Sequence, residues 1–437
     1  MNLSPLRLVS IPFLFLGLAA TAAEPGPADP SVDAHLDELV GLYKHLHTHP
    51  ELSHKEFETA KRVAEELKKA GAEVTSGVGK LGVVGVLRNG EGPTVLVRAD
   101  MDALPVTEAT GLPYASTVKA TDARSNEVGV MHACGHDVHM TCLIGTARWL
   151  AGHRDRWKGT VVLIGQPAEE MIRGAHAMLE DGLYTRFPRP DFALALHVVS
   201  DQPTGTVAYT SGPAMAGSTE VDVVIRGKGG HGASPHDTVD PVVLAALAIL
   251  DFQTIVSREV NPIHPAVVTV GSIHGGTKHN IIPDEVRLQL TLRAYRDEVT
   301  VQLIEGINRR VAGLAQAHRA PEPSVEMLQS VPPTVNTPGL VARVVPALAK
   351  ALGEANVKLV EPVMGAEDFG LYGRDGVPTF MFRLGTIPPS RIEQAKAEKK
   401  VLPSLHSPLY HPDPAPSIRT GIRAMTAAVC ELLPPKP

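Results

Sequence analysis

Val161-Val162-Leu163-Ile164-Gly165-Gln166-Pro167-Ala168-Glu169-Glu170 joins a run of aliphatic residues to a Pro-containing turn that ends in two adjacent carboxylates. An apolar run this short, bounded by Gly and Pro, reads as a buried strand. Similar runs at 83–87, 94–99 and 192–197 alternate with helical stretches such as 141–151. That alternation predicts an α/β fold, with a sheet between helices. Ligands of such sheets gather beyond the carboxyl ends of the strands. Polar residues fall there repeatedly: Asp100 and Asp102, Glu169 and Glu170, and His197 closing its run.

Outward from this core the pattern changes. Residues 32–46 and 55–70 have helical periodicity, and Gly71 is placed to end the second helix. From 214 to 328 the order is strand (220–226), helix (241–257), strand (266–273), strand (285–295), helix (300–317), strand (324–328). This βαββαβ order predicts a ferredoxin-like α+β module inserted into the α/β domain. The larger domain then comprises 24–213 and 329–437, the return including a helix at 339–352 and an apolar run at 379–384.

Composition narrows the function. The chain has 437 residues and a net charge of −6, which disfavours nucleic acid and anionic lipid as partners. With 9 Phe, 7 Tyr and 2 Trp, stacking platforms for single strands are not expected. Residues 1–23 read as a signal peptide: Arg7, an apolar run over 11–20, then Ala20, Thr21, Ala22 and Ala23. The run is shorter than the ~20 residues a membrane span requires. Export, to a periplasm or out of the cell, is therefore expected. Three cysteines, Cys134, Cys142 and Cys430, are too few for a disulfide scaffold. An exported thiol that stays free needs a reason, and metal ligation supplies one.

The densest cluster of donors is Met131-His132-Ala133-Cys134-Gly135-His136-Asp137-Val138-His139. Gly135 lets the loop bend so that Cys134 and His136 point at one ion or a close pair. The Glu169–Glu170 pair would repel itself unless an electropositive centre accepted at least one carboxylate. One glutamate can then bind metal while its neighbour takes a proton from water. By type alone, a lone histidine such as His197 is more often a capped core residue than a ligand, and His406 shares that ambiguity. His45, His47, His49 and His54 read as a solvated helix face, His132 and His139 as neighbours of the ligands, and Cys142 and Cys430 as core.

These motifs, together with His47-Thr48-His49-Pro50-Glu51-Leu52-Ser53, Arg98-Ala99-Asp100-Met101-Asp102-Ala103-Leu104-Pro105, Gly229-Gly230-His231-Gly232-Ala233-Ser234-Pro235-His236, His279-Asn280-Ile281-Ile282-Pro283-Asp284 and Gly365-Ala366-Glu367-Asp368-Phe369, resemble the aminoacylase and carboxypeptidase metallopeptidase family. The nearest branch is that of hippurate hydrolases and auxin-conjugate amidohydrolases. The resemblance implies Cys134, His136, Glu170, His197 and His406 as ligands of two divalent ions, Zn²⁺ or Mn²⁺, with Co²⁺ or Ni²⁺ also suited. It implies Glu169 as general base, Asp102 as orienting a ligand, and the inserted module as a lid that dimerises. His231 would then reach a partner's site and stabilise the oxyanion, while Asn280 and Arg293 hold the substrate carboxylate. Where other branches have a histidine ligand this chain has Asp100, which is not counted as one.

The implied activity is metal-dependent hydrolysis of N-acyl amino acids or small peptides. Two rivals are an exported non-catalytic protein that binds metal or small amides, and a thiol hydrolase in which Cys134 attacks with His136 or His139 as base.

Overall fold

The computed structural model describes residues 29–122 and 124–435, so the leader read at 1–23 lies outside the described residues. A short turn of helix, Pro30–Asp33, precedes α1 (Leu36–Thr48) and α2 (Phe57–Lys69), so the helix expected over 32–46 is broken before Leu36. Strands β1 (Glu73–Val78), β2 (Gly82–Asn89) and β3 (Thr94–Asp100) lead to α3 (His136–Gly152). Then come β4 (Gly159–Gln166), β5 (Phe192–Pro203) and β6 (Val207–Tyr209).

The inserted module contributes β7 (Gly217–Arg226), α4 (Pro241–Thr254), β8 (Ala266–Gly275), β9 (Glu285–Ala294), α5 (Asp297–Ala317) and β10 (Ser324–Val331). The chain returns through α6 (Pro338–Leu352), β11 (Val357–Leu359), β12 (Thr379–Ile387) and α7 (Pro414–Leu432).

The large sheet has the order β1-β2-β4-β3-β5-β12-β6-β11 and mixes parallel with antiparallel pairs. Alternate side chains of each strand point to opposite faces. Val95, Val97, Val161, Leu163, Leu194 and Phe382 join the core beneath α1, α2, α3 and α7. Leu96, Val162, Ile164, Ala193 and Ala195 pack on the other side against Met178, Phe369 and Tyr372. Strands covered on both faces need continuous apolar runs, which is why 161–165 shows no polar alternation.

Pairing of β3 with β5 ends at Arg98 and Ala195, whereas β5 stays paired with β12 as far as Pro203 and Ile387. His197 therefore does not close its strand as the sequence suggested. It sits where the sheet opens on one side, and the crevice for the site begins there.

In the inserted module the order is β8-β9-β7-β10, all antiparallel, with α4 and α5 packed on one face through Leu244, Ala248, Phe252, Leu303 and Ile307. The α/β class and the βαββαβ order are those read from the sequence. Val243, Leu247 and Leu250 of α4 stay exposed, and their i, i+4, i+7 spacing places them on one face.

Candidate metal centre

Gly135 decides the shape of the ligand loop. Its φ is +78°, and a Cβ there would lie 2.6 Å from Val198 Cγ2. Only glycine takes this left-handed step without strain. It lets Cys134 finish the loop while His136 begins α3, both buried. His136 Nδ1 donates to the carbonyl of Asp102 at 2.8 Å, and His197 Nδ1 donates to the carbonyl of Val198 at 2.7 Å. With Nδ1 so engaged in each ring, Nε2 carries the free lone pair.

Those atoms converge. Cys134 Sγ lies 3.6 Å from His197 Nε2, and His136 Nε2 lies 3.9 Å from both Glu169 Oε2 and Glu170 Oε1. His406 Nε2 approaches Glu170 Oε1 at 3.5 Å. His406 has φ +66°, and its N–H donates to the carbonyl of Ala133, next to Cys134. Donor atoms of Cys134, His136 and His197, of Cys134, Glu170 and His406, and of His136, Glu169 and Glu170 form groups within 4.8 Å.

The site fits divalent metal on its own chemistry. His136 Nε2 and Glu170 Oε1 are buried without hydrogen-bond partners, a costly state for polar atoms unless a cation receives them. Burial, then the Glu170 and Glu169 carboxylates, pushes the Cys134 thiol up. Neither proposed base reaches it: His136 faces the carboxylates, and His139 donates from Nδ1 to Asp100 at 2.6 Å while Nε2 accepts from Val198 N–H at 2.9 Å. The pairing of Cys134 with either of those two bases is therefore not present; the imidazole beside the thiol is that of His197. His132 is buried and pulled down to about 4 by burial.

Asp102 braces the acidic turn. Its carboxylate accepts from the N–H of Glu169 (3.1 Å), the N–H of Glu170 (3.0 Å) and the Ser53 hydroxyl (2.6 Å). Burial raises this carboxyl, but the His136 and Ser53 contacts and the Glu170 amide outweigh that and hold it down. Glu56 supports the same turn by accepting from Ala168 N–H at 2.7 Å, and Gln329 of β10 donates its amide to Met171 O at 2.7 Å and Ile172 O at 3.2 Å.

Below the turn, Arg98 is fully buried among Asp100 (2.6 Å), Glu367 (2.7 Å) and Asp368 (3.1 Å). Asp100 is thus occupied, as a counter-ion of Arg98 and as acceptor of the His139 ring N–H. Glu169 groups with Glu367 and Asp368. Burial, then Glu367, Glu170 and Asp368, pushes its carboxyl well up.

His231, Asn280 and Arg293 lie in the inserted module, and the contacts seen for them stay inside it. His231 and Asn280 are exposed, with His231 Nδ1 accepting from Ala233 N–H and Asn280 O accepting from Gly232 N–H. Arg293 is half-buried and forms no ion pair among the described residues.

A further expectation is overturned. His47 is not on a solvated face; it is 1% exposed, between Asp137 (2.7 Å) and Glu108 (3.2 Å). Its position four residues after Tyr43, on the buried stripe of α1, was the available signal. Two of the acids around Arg98, Glu367 and Asp368, lie some 270 positions away, and nothing local foretells them.

Residues 96–406 match the profile of peptidase family M20/M25/M40. The chain is 38% identical to Thermostable carboxypeptidase 1 of Saccharolobus solfataricus over 80% of this chain and 86% of that one. It is also 38% identical to N-acetyl-L-cysteine deacetylase of Bacillus subtilis, over 77% of each. The crystal structure of a dinuclear metal binding peptidase from Bacillus subtilis superposes with a TM-score of 0.73 at 30% identity, covering 91% of this chain and 98% of that one. The chain belongs to peptidase family M20/M25/M40 and is a metal-dependent hydrolase of linear amide bonds.

Proposed function

We propose that this protein is an exported amidohydrolase that holds two divalent ions, Zn²⁺ or Mn²⁺, and frees an amino acid from its N-acyl conjugate or from the carboxyl end of a short peptide. The observation that carries this reading is the Glu169–Glu170 turn. Both amides are held by Asp102, yet the two side chains have different company: Glu170 meets Cys134 and His406, whereas Glu169 meets Glu367 and Asp368. A pure binding site has no use for that division.

Cys134, His136, Glu170, His197 and His406 would hold the ions. Bound there, the ions supply Lewis acidity and a water of lowered pKa. Glu169, a carboxyl that keeps a proton more readily than most, suits a group that takes a proton from water and returns it to the departing amine. His231 of a second copy would donate to the developing oxyanion, and Asn280 and Arg293 would hold the substrate's α-carboxylate. An exposed His231 and the bare face of Val243, Leu247 and Leu250 support a homodimer through the lid.

The test is a panel of N-acyl amino acids and dipeptides offered to the mature chain after chelation and reloading with Zn²⁺, Mn²⁺, Co²⁺ or Ni²⁺. Metal-restored release of free amino acid is expected. A fully loaded chain that binds these amides without cleaving any would make it a binding protein. Fractionation of cells making the full chain tests export, with the processed form expected outside the cytoplasm.

A further inference from the structure

Arg383 on β12 stands directly across from His197 on β5. Both line a cavity of about 460 Å³ whose other walls include Met215, Val363, Met381 and Leu405. Neighbouring strands lie ~4.8 Å apart, so the two residues are neighbours on the wall of one cavity. Among the described residues its hydrogen bonds go to two backbone carbonyls, Ala214 O at 3.1 Å and Glu361 O at 3.3 Å. Among the described residues no carboxylate forms an ion pair with it; Asp201, exposed at the cavity mouth, acts at longer range.

A half-buried guanidinium held by neutral oxygens has lost part of its hydration without gaining a counter-ion. An incoming carboxylate restores what was lost, through a charge-assisted contact. The exposed acids Asp201 and Glu361 also line the cavity, whereas Met215, Val363, Met381 and Leu405 give it an apolar stretch of wall that fits methylene groups.

We infer that Arg383 receives a carboxylate carried by the substrate on a short aliphatic stem, so that the preferred amides bear an anionic group besides the α-carboxylate of the amino acid. This rests on the amidohydrolase reading above. The group can belong to the amino acid, as in a glutamyl side chain, or to the acyl part, as in a dicarboxylic acid joined through one end. Both present the same chemistry to Arg383, and the test separates them.

The metal-loaded chain is offered two matched pairs, N-acetylglutamate against N-acetylglutamine, and N-succinylmethionine against its succinamoyl counterpart, with N-acetylmethionine as a neutral reference. In at least one pair the charged member should have about tenfold or higher kcat/KM, chiefly through a lower KM. The pair that responds identifies which half of the substrate reaches Arg383. Arg383→Gln should bring that ratio close to one, Arg383→Lys should retain part of it, and Arg383→Glu should reverse the order. Metal content and thermal unfolding of each variant check that it folds. Equal treatment of both pairs by the wild-type chain overturns the assignment, as does a preference that survives in Arg383→Gln. Cleavage without charge preference refutes only the role of Arg383, whereas no cleavage of any of these amides refutes the amidohydrolase reading itself.

Discussion

His47 Nδ1 lies 2.7 Å from Asp137 Oδ2, one residue past His136, while its Nε2 faces Glu108 at 3.2 Å. The next residue, Ala109, donates its N–H to the carbonyl of Pro408, two residues past His406. One buried imidazolium thus ties together the loops that carry two of the proposed ligands. Burial alone pulls His47 down, but hydrogen bonds to Asp137 and Glu108 outweigh it and raise it from 6.5 to about 10. A group raised in the folded state stabilises fully below its unfolded pKa and ceases to do so above its folded one. His47→Leu should cost about 3–5 kcal/mol near pH 6, because it strands two buried carboxylates. The gap between wild type and variant in urea unfolding should narrow from pH 6.5 towards 10. A gap that does not change with pH would remove the imidazolium from the account.

Glu169→Gln keeps the shape of the turn and removes the proton-accepting group. Turnover should fall by about 10²- to 10⁴-fold while bound metal, measured by elemental analysis, stays at the wild-type level. Normal turnover would assign the base elsewhere.

Asp102→Asn keeps the backbone carbonyl that orients His136 but exchanges one carboxylate oxygen for an amide donor facing the Glu169 and Glu170 N–H groups. Metal affinity should drop by about 10- to 100-fold, the usual effect of losing a partner that positions ligands. Competition with a chelator of known affinity reads it directly.

Gly135→Ala adds a methyl group against Val198 and places a non-glycine residue at φ +78°. The conformational penalty alone is about 1–2 kcal/mol. Lower melting temperature and lower metal content are expected together, since the same loop carries Cys134 and His136.

Leu250→Asp puts a charge on the exposed face of α4, where Leu250 is 69% exposed. If two copies pair there, light scattering coupled to size exclusion should show dimers giving way to monomers with an unchanged far-ultraviolet spectrum. An oligomer indifferent to the change would place any interface on another surface.

Much of the candidate centre could be read directly because the residues proposed as ligands cluster in short, chemically unusual stretches. A thiol and an imidazole flank one glycine, and two acids end an apolar strand. The αβ alternation and the βαββαβ order were legible for a related reason, as sheet burial and helix faces write their periods into local sequence. What escaped is set by register and by contacts across the chain. His197 was taken for a strand end because the run 192–196 stops being apolar there, yet β5 continues by pairing with β12. His47 looked solvated beside His45 and His49, although only its own rotation about α1 turns it inward. Arg383 meets His197 through strand alignment alone, and no spacing in the sequence announces that pairing.

The bonds from Gln329 to Met171 O and Ile172 O fasten the last strand of the inserted module to the segment just after Glu170. A swing of that module must either snap this latch or drag the acidic corner along. Its posture is therefore felt by the ions' cradle even before any substrate arrives, and a lesion at the latch would register as sloppy metal retention in a chain whose ligands are all intact.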